Sequence, residues 1–476
     1  MGVVDAMTRQ NEPVPQGRIR RTMPLAGFTA RAAGGRLLAG MRQRAGDGDA
    51  VHRFHIRTAE RYTDLLGHSK GALMKAGQIL SMVDADALGT GGFSPYQKAL
   101  ARLQADAPPM HPDLVNEVLI REIGSPSKHF AEFNAEPVAA ASIGQVHYGV
   151  LHDGRRVAVK IQYPGVDHAI RSDLANTELL ATFLRFVTAA SGMPIDTRAI
   201  AHETAERIRE EIDYHHEAQM ISAFGDLYQG HPFVVIPEVI AEASSRRVLT
   251  MTYLEGMGWA AAKNADQQLR DTWAEVIARF INANYRHANL VHADPHPGNY
   301  RFRADGTVGF LDFGCVTVLE ERARWLWVSF LRAAYEGRID DCRNLMAQLG
   351  FFAVDSSLTD DELRQWVSEM TYEVNLPQPV TYTAQSTARV FRGMVDVRDR
   401  NHPVAKITLP AEQAFTSRIS LAFASVAAGL NATLATRSIL EDMDGVAEPV
   451  TELGRLHHGW VRERGLPGAL DRHDHP

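Results

Sequence analysis

Cysteine is nearly missing from this chain: Cys315 and Cys342 are the only two in 476 residues. So few thiols exclude a disulfide framework and suit a reducing compartment. Long apolar runs are missing as well. The longest uncharged stretch, residues 419–436, contains Ser420, Ser425, Gly429, Asn431 and Thr433. That is too polar for a membrane span and reads as a buried core helix. No secretory signal is visible. A large charge of one sign is missing too: the net charge is −7, which disfavours wholesale nucleic-acid binding. Only the segment 1–46 breaks the balance, with Arg9, Arg18, Arg20, Arg21, Arg31, Arg36, Arg42 and Arg44 against Asp5 and Glu12. It reads as a solvated basic tail, although a lipid-facing leader or an organellar targeting peptide has a similar composition.

What is present is globular. Hydrophobic residues make up 45% and charged residues 22%, and the length suits one large bilobal unit or two to three domains. Residues 1–50 read as a flexible basic segment and 51–135 as a helical extension, with helices over 55–105 and over 111–123, the latter closed by Gly124. The apolar period then changes to two. Residues 142–151, the turn Asp153-Gly154 and residues 155–162 read as a β-hairpin. In its second strand Val157, Val159 and Ile161 share one face, with Ala158 and Lys160 on the other. Helices are expected over 173–190 and 197–224, and strands over 233–237 and 247–253. Glu255-Gly256 reads as a hinge that separates an N-lobe, 136–255, from a mainly helical C-lobe, 256–476. A helix over 267–288 leads into a reactive loop, and Asp305-Gly306 forms a second hairpin turn. The fold class is therefore α+β, bilobal and protein-kinase-like.

The reactive loop runs His292-Ala293-Asp294-Pro295-His296-Pro297-Gly298-Asn299, with Asp312-Phe313-Gly314 downstream. Phosphoryl transfer needs a carboxylate beside the attacking hydroxyl and oxygen ligands that hold magnesium against nucleotide phosphates. Asp294 fits the first role; Asn299 and Asp312 fit the second. Two prolines stiffen the loop. His292 reads as a structural residue that holds it by a hydrogen bond, and His296 as a loop side chain. A zinc site from His292, Asp294 and His296 competes, but it leaves Asn299 and Asp312 without a role. Lys160, in Val157-Ala158-Val159-Lys160, suits neutralisation of phosphates, and Glu217 is the carboxylate expected to orient it. On a straight helix Asp213 and Glu217 share a face while Glu211 points away. A Gly-rich phosphate loop is lacking; Ala139-Ala140-Ala141-Ser142 stands in its place. A methyl group at each Cβ restricts the close backbone approach that glycine permits. Backbone groups near Thr252, Tyr253 and Leu254 suit adenine binding.

Four stretches together resemble the UbiB (AarF) family of atypical kinases, which is linked to isoprenoid-quinone biosynthesis. Lys75-Ala76-Gly77-Gln78 matches the family's Lys-x-Gly-Gln signature, and Ala139 to Ser142 its alanine-rich nucleotide loop. Glu211-Ile212-Asp213 matches its Glu-x-Asp motif, and His292 to Asn299 with Asp312-Phe313-Gly314 its catalytic and metal loops. The resemblance spans about residues 60–340. It implies that Lys75, Gln78, Glu211 and Asp213 form a regulatory apparatus that covers the cleft, and that Glu217 pairs with Lys160. It also implies ATP or ADP with Mg²⁺, an isoprenoid quinone or its precursor as lipid partner, and a cytoplasmic protein peripheral to the membrane. Two functions remain open: a magnesium-dependent ATPase or small-molecule kinase, and a catalytically weak nucleotide-gated module that binds a lipid or partner. Aminoglycoside- or choline-type phosphotransferases share the loop pattern but lack the Lys75 signature.

Overall fold

Side chains that alternate over a tight Asp-Gly turn favour an antiparallel hairpin with one dry face, and the computed structural model folds residues 144–162 that way. The structure describes residues 109–140, 143–167, 170, 212–352, 356–395, 402–407 and 411–468. The principal elements, in chain order, begin with α1 (Pro112–Ile123), β1 (Phe130–Phe133), β2 (Ala139–Ala140), β3 (Gly144–Leu151) and β4 (Arg156–Gln162). Next come α2 (Tyr214–Leu227), β5 (Val234–Val235), β6 (Val248–Thr252), α3 (Gln267–His287), β7 (Leu290–His292), β8 (Tyr300–Phe302), β9 (Val308–Phe310) and β10 (Val316–Val318). The rest is mostly helical: α4 (Glu321–Glu336), α5 (Ile339–Gln348), α6 (Asp360–Met370), β11 (Val380–Thr381), α7 (Ala384–Val395), α8 (Ala411–Gly429), β12 (Thr433–Leu434), α9 (Thr436–Met443) and α10 (Glu452–Arg464).

The chain divides into two compact units: residues 1–219 with 238–253, and residues 220–237 with 254–476. The first holds an antiparallel sheet in the order β1-β3-β4-β6, with β2 added beside β3. Gly154 closes the β3–β4 turn at φ 86°, a left-handed conformation that glycine adopts without strain. Val157, Val159 and Ile161 are completely buried, each worth about 1.5–3 kcal/mol. Gly144 is required for a different reason: a Cβ there would overlap the carbonyl of Ile161 on β4. Helix α1 starts on Pro112, ends on Gly124 at φ 85°, and buries Val115, Val118 and Leu119. The sheet begins at Phe130, inside the stretch expected to be a helical extension up to 135. Phe130 is buried beneath it while Ala131 and Glu132 face solvent.

In the second unit β5 runs parallel to β9, which pairs with β8; β7 and β10 form a separate ribbon. The strand expected over 233–237 shrinks to Val234–Val235, because Pro237 lacks an amide donor to continue the ladder. Helix α3 is buried almost all round from Trp273 to His287. Two of its arginines meet carboxylates: Arg279 makes two 2.9 Å bonds to Asp442 and one of 2.8 Å to Glu275. Arg286 meets Asp444 at 2.6 Å, and the Tyr335 hydroxyl donates to the same carboxylate at 2.6 Å. The run 419–436 is not one helix. Helix α8 stops at Gly429, Asn431 turns the chain at φ 50°, and Thr433–Leu434 pairs with β11. Asparagine tolerates the left-handed region better than other branched residues, which is why the helix can end there. Among the described residues no helix is long and apolar enough to cross a membrane.

Candidate functional site

In the first unit the site is built from regular structure. Lys160 sits on β4 opposite Val146 of β3 and Leu249 of β6. The alternate face of this strand is dry at its end: Lys160 is 7% and Gln162 1% exposed. Glu217, 4% exposed, lies in the first turn of α2, and its Oε1 is 2.5 Å from Lys160 Nζ. The Tyr214 ring lies 5.8 Å from the same ammonium. A carboxylate in a first helical turn is also favoured by the helix dipole. Gln162 fixes the approach to the helix by donating to the Ile212 carbonyl at 3.0 Å.

One helix over 197–224 was the expectation, and the structure departs from it. Residues 201–211 lie outside the described residues, Ile212 is a turn, and Asp213 is not helical. Asp213 caps α2 instead: its Oδ1 accepts from His215 N at 3.0 Å, and its carbonyl accepts from His216 N at 3.0 Å. A short acidic side chain competes for backbone donors in this way, which favours the cap over the helix interior. Asp213 therefore does not share a helical face with Glu217, and the straight-helix argument about Glu211 does not apply.

The second unit carries its candidate residues on a loop. Strand β7 delivers His292, paired with Val316 of β10. His292 is 4% exposed and donates from Nε2 to the Asp312 carbonyl at 2.6 Å. Burial holds its pKa below the ordinary histidine value, so the ring is neutral and that bond fixes its tautomer. The His292–Asn299 loop and the Asp-Phe-Gly turn are thus tied together. A second tie is Leu311 N donating to the Asn299 carbonyl at 2.9 Å. Phe313 is fully buried, its ring 4.9 Å from Phe224 and 5.3 Å from His292. Asn299 Nδ2 donates to Asp294 Oδ2 at 3.0 Å and to its carbonyl at 3.2 Å. Asp312 Oδ1 accepts from Gly314 N at 3.0 Å.

Magnesium binds oxygen, keeps several waters and takes one or two carboxylates together with substrate phosphates. The donor set fits. Asn299 spends its amide nitrogen on Asp294, so its carboxamide oxygen is the atom left for a cation, and Asp312 contributes a carboxylate. Zinc bound by His292, Asp294 and His296 does not fit. His292 Nε2 is committed to Asp312, His296 Nδ1 accepts from Gly298 N at 3.1 Å, and among the described residues no three His, Cys, Asp or Glu side chains converge on a metal position.

The profile of the ABC1 atypical kinase-like domain matches residues 102–346. The chain belongs to the UbiB (AarF) family of atypical kinases. This UbiB chain is 28% identical over 365 residues to the mitochondrial atypical kinase COQ8B of Danio rerio, covering 75% of this chain and 56% of that protein. It is 32% identical over 257 residues to the mitochondrial atypical kinase COQ8 of Saccharomyces cerevisiae, covering 54% and 50%. It thus spans about half the length of these two relatives. Among solved structures, Rv3197 of Mycobacterium tuberculosis in complex with erythromycin matches with TM-score 0.58 and 29% identity, over 84% of this chain and 97% of that one. The UbiB fold here is α+β and protein-kinase-like, and family membership implies nucleotide binding.

The remaining residues singled out in this UbiB sequence sort as follows. Asp294, Asn299 and Asp312 are grouped in the second unit, and Lys160 with Glu217 in the first. Lys75, Gln78, Ala141, Ser142 and Glu211 lie outside the described residues, as does the Lys-x-Gly-Gln extension. Ala139 and Ala140 form strand β2, paired with Val146 and Gln145. The Thr252 and Tyr253 amides are spent within the sheet, on the carbonyls of Glu238 and Arg156 at 2.9 Å each. Leu254 is buried, and its N–H makes no such bond among the described residues. Phe224 escaped the sequence reading. Its signal was its place two helical turns after Glu217, on the same face of α2.

Proposed function

We propose that this UbiB-family protein is a magnesium-dependent ATPase or small-molecule kinase that serves isoprenoid-quinone or other lipid metabolism. The observation that carries the reading is the Asp294–Asn299–Asp312 group, held by the His292 bond to the Asp-Phe-Gly turn. Asp294 accepts the proton of the attacking hydroxyl or positions a water. Asn299 stops that carboxylate from rotating. Asn299 Oδ1 and Asp312 hold the cation, which when bound neutralises charge on the phosphate oxygens. Lys160 draws the phosphates, Glu217 orients Lys160, and the Leu254 amide meets adenine. Ala139 to Ser142 line the phosphate side, and Lys75, Gln78, Glu211 and Asp213 restrain turnover. The lipid partner is an isoprenoid quinone or its precursor, and the protein works in the cytoplasm, peripheral to a membrane.

Hydrolysis of ATP measured with and without liposomes tests this. The expected result is Mg²⁺-dependent turnover that lipid stimulates and that Asp294→Asn and Asp312→Asn abolish. Equal residual hydrolysis in all three proteins would refute it. A nucleotide-gated binding module is the second reading, favoured by the pairing of Ala139 and Ala140 into a strand, where methyl groups and a fixed ladder restrict the backbone approach to phosphate. It predicts nucleotide-dependent lipid binding that survives Asp294→Asn.

A further inference from the structure

A cavity of about 150 Å³ lies within the helical layer of the second unit, walled by α3, α4, α8 and α9 and by the turn after α6. Its wall is mainly apolar, with Ile281, Trp327, Phe423 and Ile439 among its residues. Several of its polar groups are committed to the protein. The Tyr285 hydroxyl donates to Asn282, the Tyr335 hydroxyl to Asp444 and the Thr371 hydroxyl to Val367, while the Tyr382 hydroxyl is bonded to Thr436. Glu373 is committed only in part, through a hydrogen bond between the Ser386 hydroxyl and its carboxyl group. It is 6% exposed, it lines the cavity, and its Oε1 is buried without a hydrogen-bond partner among the described residues.

Leaving a buried acceptor unmet costs on the order of 1–3 kcal/mol. An unmet group that persists inside an apolar hole marks where a ligand donor would be rewarded. Size narrows the class, since a dry protein cavity of roughly 150 Å³ admits one benzene ring. Charge narrows it again. Burial raises the Glu373 carboxyl above its ordinary pKa, which favours the neutral acid and a neutral donor over an ammonium ion.

We propose that this cavity is a second ligand site, separate from the phosphoryl-transfer residues, which takes a single apolar ring carrying one neutral hydroxyl donor and anchors that hydroxyl on Glu373. Helix α3 supplies Ala278, Ile281, Asn282 and Tyr285 to the wall and ends just before the strand that carries His292.

The test is calorimetric titration of the full-length protein with benzyl alcohol and, separately, with toluene. The wild type is expected to bind benzyl alcohol about 3- to 10-fold more tightly than toluene, the worth of one hydrogen bond. Glu373→Gln keeps an acceptor oxygen and should preserve that preference. Glu373→Leu should erase it while still binding toluene. Ala424→Phe, which fills the hole, should block both ligands. Failure of the wild type to bind either probe, as when another segment of the chain fills the hole, overturns the proposal. So does an unchanged preference in Glu373→Leu.

Discussion

Lys160 with Glu217 and Asp294 with Asn299 are both polar pairs within bonding distance, yet the molecule positions them by opposite means. The first pair is mounted on a central strand and a capped helix, almost completely dry, so its geometry is inherited from a ladder and a core. The second sits on irregular chain, half-buried, and is held by two prolines, a histidine and backbone bonds. Burial makes the first pair a component of stability. Partial exposure leaves the second open to solvent, at little cost to the fold. The contrast teaches where precision comes from: regular structure where the pair is buried, and a stiffened loop where it stays half-exposed.

The sharpest way to break the contrast is to remove one member from each side. Asp294→Asn should lower turnover by about 10²- to 10⁴-fold, the usual worth of a general base, with the urea midpoint almost unchanged. Lys160→Met should do what Asp294→Asn does not: destabilise the protein by about 3–5 kcal/mol in urea unfolding, because a dry Glu217 loses its ammonium partner. Adding Glu217→Leu should restore most of that loss. If Lys160→Met leaves the midpoint where it was, the pair is not the structural clamp described. Asp442→Ala belongs to the same class, since it strips a fully buried Arg279 of its two-toothed partner, and a loss of about 3–5 kcal/mol is expected.

Acid offers a smaller effect, carried mostly by the second unit. In the second unit burial lowers the pKa values of His231, to about 3, and of His292 and His457. The unfolded chain takes up protons at these sites below about 6.5, whereas the folded one does not. Their stability contribution is therefore intact above pH 6.5 and is lost as pH falls toward the folded pKa, with His231 alone costing about 2 kcal/mol at pH 5. In the first unit His147 is lowered for the same reason. His231→Phe should flatten the stability slope between pH 7 and 5, measured by urea titration at each pH; an unaltered slope would contradict the assignment. The smallest change expected is Asp213→Ala, about 1 kcal/mol for a lost cap. Spectral melting should register it without a large loss of turnover.

Much of this was legible in the chain. The Asp-Gly turn and alternating valines specify the β3–β4 hairpin, and Pro112 and Gly124 bracket α1. Spacing within the His292–Asn299 loop pointed to the residues that the structure brings together, since a stiff loop keeps sequence neighbours close. Legibility failed where tertiary bonds decide. Asp213 looks helical by composition, and only the backbone donors it caps reveal the break before Tyr214. Phe130 to Phe133 is too short to announce itself as a strand until β3 lies beside it. Arg279 with Asp442 and Arg286 with Asp444 are distant in sequence, and periodicity carries no sign of such pairing. The vacant acceptor of Glu373 is equally silent, because an acid near a helix end reads as solvated until helices close over it.

The central proposal is that the Asp294–Asn299–Asp312 group serves a magnesium–nucleotide complex. Its most direct test is calorimetric titration of the full-length protein with ADP, with and without Mg²⁺, alongside Asp312→Asn. The account predicts nucleotide uptake that Mg²⁺ strengthens at least tenfold in the wild type and much less in the variant. Uptake that ignores Mg²⁺, or that is identical in the two proteins, would contradict it.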